Sequence, residues 1–320
     1  MKRINHPQTR RRFIAMTAIL AGTAALPGTA SASGSAVAKW RGLALGADAS
    51  LLIAGLNQAE AGPLFARMES ELDRLENIFS LYRPHSALSR LNRDGRLTTP
   101  PGEFLELLSI TNAVHARTDG AFDPTVQPLW SLYAAAAQDN TMPSHTEVLA
   151  AQARVGWQSV RFDSDRIMFD RPDMAMTLNG IAQGYVTDRI AALLRSEGLQ
   201  GVLVDMGEIR AIGQRPGGGA WRAGLRTPEG GVFPERVILQ NRALATSAPA
   251  ATLLDAAGRI GHIFDPRTGR PAGQWRQVSV SAETAALADG LATAFCMMDK
   301  TQIALAAEAF NGVTVEKLVV

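Results

Sequence analysis

Residues 177–207 read TLNGIAQGYVTDRIAALLRSEGLQGVLVDMG, and their order predicts a strand end, a turn, a helix and a returning strand. Gly180 and Gly184 punctuate the turn, where glycine permits a positive φ and lets a ligand approach the backbone. The helix that follows aims its first free N–H groups at that turn, a site suited to a diphosphate. Glycines also simply end strands, so the segment takes its meaning from the rest of the chain.

Outward from this stretch, Ala59–Phe79 predicts an amphipathic helix. Leu64, Met68, Leu72, Leu75 and Phe79 recur at three- and four-residue spacing with charges between them. Tyr82-Arg83-Pro84 ends it. Gly102–Arg117 predicts a second helix, closed by the turn residues Thr118-Asp119-Gly120. Ser159–Phe169 alternates apolar and polar residues around Asp163-Ser164-Asp165, the pattern of a β-hairpin. Strands are expected at Val202–Asp205, Trp221–Leu225, Arg236–Leu239, His262–Phe264 and Val278–Ser281, and helices at Thr284–Met298 and Thr301–Phe310. Ala134–Ala137 and the glycine run Gly217–Gly219 read as connecting structure. Strands and helices mix without a regular βαβα alternation, so the fold class is α+β.

The N-terminus has a different character. Thr9-Arg10-Arg11-Arg12-Phe13-Ile14 has the form of a twin-arginine export signal, the apolar run Ala15–Leu26 follows, and Ala30-Ser31-Ala32 offers a small-x-small cleavage site. The alternative is a single membrane anchor, but the apolar run is short against the roughly 20 residues a bilayer needs. The expectation is a signal at residues 1–32, a domain at 33–320, export to the periplasm in a folded state and no stable membrane anchor after cleavage. Removing Lys2, Arg3, Arg10, Arg11 and Arg12 takes the formal charge from +2 to −3. Bulk charge therefore gives no case for a nucleic-acid partner. The single cysteine, Cys296, excludes an internal disulfide and reads as a buried structural thiol in an apolar segment.

Four local patterns could carry chemistry. Asp289 and Thr293 stand four apart in ALADGLATAF, which places a carboxylate and a hydroxyl on one helix face, a hard-oxygen pair suited to Mg²⁺. The bland alternative is an exposed Asp and a Thr bonded to its own helix. His262 precedes the turn Asp265-Pro266-Arg267-Thr268-Gly269 and is either an ordinary surface or core histidine or an active-site group where a strand meets a loop. Tyr82, at the end of the long helix, either caps the core or stacks a flat heterocycle. Gly120-Ala121-Phe122-Asp123-Pro124-Thr125 is either a plain turn or a ligand-facing loop.

Taken together, LYRPHSALSRLN, GAFDPTVQPLW, LNGIAQGYVTDRIAALL, GVLVDMGEIRAIG, ALATS, GHIFDPRTGRP and ALADGLATAF resemble, in order, the ApbE family of FAD-dependent FMN transferases from Leu43 to Met298. The resemblance implies mixed lobes of antiparallel sheet packed with helices, with FAD between them and Mg²⁺ on its diphosphate. It implies cleavage of FAD, release of AMP, and esterification of FMN to a threonine or serine of a partner flavoprotein within a Ser/Thr-Gly-Ala-Thr type motif. Asp289, Thr293 and the Gly180 carbonyl would be the metal ligands. Leu45 and Tyr82 would sandwich the adenine. Ala121, Phe122, Asp123, Thr177, Gln183 and Ile263 would line the cofactor site, and His262 would lie near the reacting phosphate, where it or a neighbouring carboxylate would take the acceptor proton.

The chain departs from the usual family pattern at several points. Leu45-Gly46-Ala47 stands in place of Met-Gly-Thr, and Gln183 in place of Lys or Glu. Asp205-Met206-Gly207-Glu208 is one residue shorter than Asp-Leu-Gly-Gly-Asp, and Ala248-Pro249 follows Ser247 where Gly is usual. The twin-arginine signal together with DMGEIRAIG is similar to the NosX type, whose members flavinylate the membrane regulator NosR, so the resemblance implies NosR as acceptor. Rival readings are an FAD-binding or FMN-storage protein without transfer activity, an FAD pyrophosphatase that releases free FMN, and a purely structural accessory protein of an electron-transfer complex that binds no flavin.

Overall fold

The computed structural model describes residues 36–320, so the expected signal at residues 1–32 lies outside the described residues. The chain begins with a hairpin, β1 (Val37–Ala44) and β2 (Ala47–Ala54). Its two-residue turn holds Leu45 at φ 49° and Gly46 at φ 81°, as a tight hairpin between right-twisted strands demands. Leu-Gly is not one of the usual dipeptides for that turn, which is why the hairpin is hidden in the sequence.

Helix α1 (Gln58–Phe79) opens with a reciprocal cap between Asn57 and Glu60 and buries Met68, Leu72, Leu75 and Phe79, the face its periodicity predicts. A short helix α2 (Ala87–Asp94), strand β3 (Arg96–Thr98) and helix α3 (Gly102–Arg117) follow. Helices α4 (Gln127–Gln138) and α5 (His145–Gln152) come next, and the alanine run 134–137 belongs to α4 rather than to a connection. The hairpin β4 (Val160–Phe162) and β5 (Arg166–Phe169) forms as expected and joins β3 in a small sheet.

The deciding stretch becomes helix α6 (Ala182–Ser196) and strand β6 (Gly201–Asp205). Strands β7 (Ile209–Gly213), β8 (Trp221–Arg226), β9 (Val232–Leu239) and β10 (Ala243–Ser247) follow. The short pair β11 (Phe264–Asp265) and β12 (Arg270–Pro271) precedes β13 (Gln277–Ala282). Helices α7 (Ala285–Phe295) and α8 (Lys300–Glu308) and strand β14 (Thr314–Val319) complete the chain. His262 is thus not in the strand expected at His262–Phe264 but in the bend before β11. Helix α7 ends at Phe295, before Met298, because the backbone tightens into shorter turns there.

Among the described residues the central sheet has seven strands in the order β1-β2-β6-β7-β10-β13-β14, each pair antiparallel. Alternation along β6 sets its two faces. Val202 and Val204 enter the large core beneath α1, α6 and α7, and Leu203 enters a second cluster with Trp221 and Leu239 of the β8–β9 ribbon. Helices thus cover one face and a β-ribbon the other, an α+β arrangement. Helix α7 is buried nearly all round and built mostly of small residues, which lets α6 and the sheet close on it. No helix among the described residues is long and apolar enough to cross a membrane.

Candidate active site

Two buried helices meet at the site. The Asp188 carboxylate of α6 accepts the N–H groups of Ala285 and Ala286, both at 2.9 Å, and so fixes the first turn of α7 on α6. One turn earlier, the Gly184 N–H donates to Asp289 Oδ2 at 3.0 Å. A Cβ on Gly184 would collide with the Ala285 carbonyl, and one on Gly180 would lie 2.9 Å from Thr293 Oγ1. Neither glycine has a positive φ. The expectation of left-handed turn residues is therefore corrected, since both serve close approach of backbone to helix.

The expectation of free N–H groups at the start of α6 is also corrected in part. Ala182 N–H donates to Leu178 O at 2.7 Å and Gly184 N–H is spent on Asp289, leaving a weaker anion site than the sequence suggests. The same contacts bring the expected ligand set together. Thr293 Oγ1 lies 3.4 Å from the Gly180 carbonyl oxygen and 3.3 Å from Ser247 Oγ. Asp289, although 97 % buried, spends one oxygen on Gly184 and lines the adjoining cleft.

That cleft encloses about 1270 Å³ of empty space, the open solvent at its mouth included. Gly180, Asp289, Thr293, Thr177, Gln183 and His262 line it, and so do Ala121, Phe122, Asp123 and Ile263. Ten of the twelve residues singled out from the sequence therefore converge on one cavity. Leu45 and Tyr82 lie outside the lining. Leu45 sits in the β1–β2 turn, its N–H donating to Glu76 Oε1 at 2.8 Å, and Tyr82 is 62 % exposed beyond the end of α1. Ala47 and Asp48 carry the same hairpin to the cleft wall.

Charge is the cleft's most telling property. Asp48, Asp123, Asp205, Glu208 and Asp289 line it, with no lysine or arginine among the described residues. Burial raises the pKa of Asp205 to about 7 despite the Gly207 N–H that favours its charged form. Burial, and then the charges of Asp289 and Asp205, raise Glu208 well above the usual carboxylate range. Burial likewise raises Asp289. A diphosphate entering this cleft would meet net repulsion unless a cation came with it. The Gly180 carbonyl, the Thr293 hydroxyl and Asp289 form a wholly oxygen donor set, the chemistry Mg²⁺ prefers when phosphate and water complete its shell. No group of three His, Cys, Asp or Glu side chains among the described residues forms a protein-only metal cage.

The other residues differ in how much of their chemistry is already used. Asp123 accepts from the Thr125 N–H and hydroxyl at 2.8 and 2.6 Å and from Trp157 N–H at 2.9 Å. Its carboxylate therefore holds the loop, and the residue lines the cleft wall as expected of its place in the chain. Thr177 N–H donates to Pro124 O at 2.8 Å and ties that loop to the start of the α6 segment. Gln183 is buried with its Nε2 lacking a hydrogen-bond partner, a donor available to a ligand oxygen. His262 Nδ1 lies 3.1 Å from Pro249 O and 3.2 Å from Thr252 O. Carbonyls only accept, so the neutral ring carries its proton on Nδ1 and Nε2 is the basic nitrogen.

Asp205, Glu208, Ser247 and Pro249 were not singled out as site residues. A run of acids near a glycine turn was the one available signal for the first two. Cys296, fully buried and bonded to Ala292 O at 3.3 Å, has its pKa raised by burial and is the structural thiol expected.

Comparison with known proteins places this geometry. A profile of the ApbE family matches residues 45–315. A FAD:protein FMN transferase of Vibrio cholerae is 31 % identical over 76 % of this chain and 76 % of its own length. One of Klebsiella pneumoniae is 29 % identical over 80 % of this chain and 77 % of its own. Among solved structures, the flavin transferase ApbE from Vibrio cholerae superposes with a TM-score of 0.77 at 26 % identity, covering 86 % of this chain and 91 % of that one. The apo flavinyl transferase ApbE of Pseudomonas stutzeri superposes at 0.76 and 26 % identity, over 91 % and 96 %. With the match spanning most of the sequence and the site residues gathered in one cleft, the chain belongs to the ApbE family.

Proposed function

We propose that this protein transfers FMN from FAD to a threonine or serine hydroxyl of a partner flavoprotein, with Mg²⁺, and releases AMP. The observation that carries this reading is the convergence of Gly180, Asp289, Thr293 and His262 on one acid-lined cleft, in a chain whose relatives are FAD:protein FMN transferases. Asp289, Thr293 and the Gly180 carbonyl would hold the metal. When bound, Mg²⁺ supplies the positive charge that the diphosphate needs and favours departure of AMP.

The protein's own residues then position and move protons. The acceptor hydroxyl oxygen bonds to the FMN phosphorus as the bridging P–O bond breaks, and the bridging oxygen leaves with AMP. His262 Nε2 takes the acceptor proton, its ring held by the carbonyls of Pro249 and Thr252. Gln183 Nε2 donates to a diphosphate oxygen, a neutral donor where a charge is usual. Ala121, Phe122, Thr177 and Ile263 pack the flavin half, and Tyr82 and Leu45 approach the adenine from the rim once FAD is bound. The twin-arginine motif supports a periplasmic location, and with DMGEIRAIG it supports NosR as acceptor.

The test is mass spectrometry of a Ser/Thr-Gly-Ala-Thr acceptor peptide, and of NosR, after incubation with the protein, FAD and Mg²⁺. A covalent FMN adduct that falls by about 100-fold or more in Asp289→Ala is expected, in line with loss of a metal ligand. Free FMN without an adduct would make the protein a pyrophosphatase. Bound, intact FAD would make it an accessory protein, and an adduct on other targets but not on NosR would remove the NosR assignment.

A further inference from the structure

At the opposite end of α6, β10 and α7 lies a second pocket, lined by Arg195, Arg210, Gln240, Asn241, Arg242 and Glu283. Helix α6 runs from Gln183 in the cleft to Arg195 here, and β10 runs from beside Arg242 here to Ser247 in the cleft. The two sites are therefore separate.

Arg210 is the unusual member. Its side chain is 88 % buried, and its Nη1 is buried without a hydrogen-bond partner. Its Nε makes a long ion pair with Asp188 Oδ1 at 3.8 Å, too far for a hydrogen bond. Asp188 cannot close that gap cheaply, since both its oxygens already accept the Ala285 and Ala286 N–H groups. A buried guanidinium with idle donors is costly unless something pairs with it. Burial lowers the Arg210 pKa, and Arg195 and Arg242 lower it further while Asp188 and Glu283 oppose them.

The rest of the pocket is held ready. Arg242 Nη2 donates to Ser281 Oγ at 3.0 Å and to Gly312 O at 2.6 Å, which fixes its guanidinium. Asn241 Oδ1 accepts from Gly213 N–H at 2.8 Å, leaving its amide nitrogen as a donor. Arg195 is exposed in the last turn of α6. Glu283 forms no ion pair with the three arginines among the described residues.

We propose that this pocket binds a tetrahedral oxyanion of the phosphate class, anchored by the buried Arg210 guanidinium and closed by Arg242 and Arg195. Arginine presents a planar fork of donors that matches two oxygens of such an anion. The anion is either free inorganic phosphate or the phosphate of a small phosphomonoester. The inference stands on the pocket alone and does not depend on the reaction assigned to the cleft.

The test is isothermal titration calorimetry of the FAD- and Mg²⁺-saturated protein with inorganic phosphate and, separately, glycerol phosphate. Sodium chloride of matched ionic strength is the blank. One saturable site is expected, abolished in Arg210→Met and weakened about 10-fold in the fold-neutral Arg195→Gln, as loss of one charged donor predicts. Binding of inorganic phosphate identifies the free ion as sufficient, whereas binding of glycerol phosphate alone identifies a monoester. Absence of a phosphate-specific site in the wild type would overturn the proposal. An unchanged affinity in Arg195→Gln would do the same, even where Arg210→Met fails to fold.

Discussion

The two ends of the α6–α7 pair carry opposite charge problems. At one end, five carboxylates line a cleft with no lysine or arginine among the described residues. At the other, a buried arginine has idle donors and two further arginines beside it. Asp188 stands between them, spent on the first turn of α7. A fold tolerates like charges in one place when the missing counter-charge arrives from outside, because unpaired burial costs more than pairing returns. By that reasoning the two proposals above bring a cation to the acid end together with its phosphate-bearing substrate, and an anion to the basic end.

The sharpest way to break this contrast is to attack His262, the histidine that lines the acid end. His262→Ala is expected to lower kcat by about 10²–10⁴-fold, the usual worth of a positioned base, with FAD affinity nearly unchanged. Single-turnover transfer to the acceptor peptide checks it, and full rates in the variant would pass the proton role to a carboxylate.

Next in size is the joint between the two ends. Gly184→Ala would drive its Cβ into the Ala285 carbonyl and push α7 off α6. Urea unfolding should show a loss of about 1–3 kcal/mol, the range for overpacking, and Mg²⁺-dependent turnover should fall with it.

The acid end also predicts its own pH dependence. In the metal-free protein Asp205 has its pKa raised to about 7 by burial, while the unfolded chain releases that proton near pH 4. The folded state then holds the extra proton between those values, so stability falls as pH rises from about 4 to about 7 and is level above. Asp205→Asn keeps an acceptor for the Gly207 N–H and should flatten this fall by about 1–3 kcal/mol in denaturant titrations at pH 5 and pH 8. An equally steep fall in the variant would mean that Glu208 and Asp289 carry the effect.

The smallest expected effect lies on the rim. Tyr82→Ala should raise the KM for FAD by about 10-fold with kcat unchanged, because one stacked base is worth about 1–3 kcal/mol. No change in KM would leave Tyr82 as an exposed ring outside the site.

Much of the molecule is legible in the chain because its signals are local. The periodicity of α1, the span of α3, the β4–β5 hairpin and the four-residue spacing of Asp289 and Thr293 each depend only on near neighbours. Other features escape that reading. The β1–β2 turn uses Leu45 where Asn or Asp would announce it, and α4 hides in a run of alanines without a polar face. His262 sits in a bend because carbonyls of Pro249 and Thr252 hold its ring, not because of any strand pattern around it.

The sequence by itself determined the α+β class, ten of the residues that line the cleft and the family to which they belong. Only the tertiary structure decided how those residues are placed and what each already bonds. Gly184 and Asp289 are 105 positions apart, yet the hydrogen bond between them sets where the carboxylate points. The same folding aligns Asp205 and Glu208 with Asp289 along one cleft and leaves Arg210 facing a carboxylate already in use. Helical period is written in adjacent residues, whereas buried charge and its unmet partners are properties of contacts that exist only once the sheet and helices have closed.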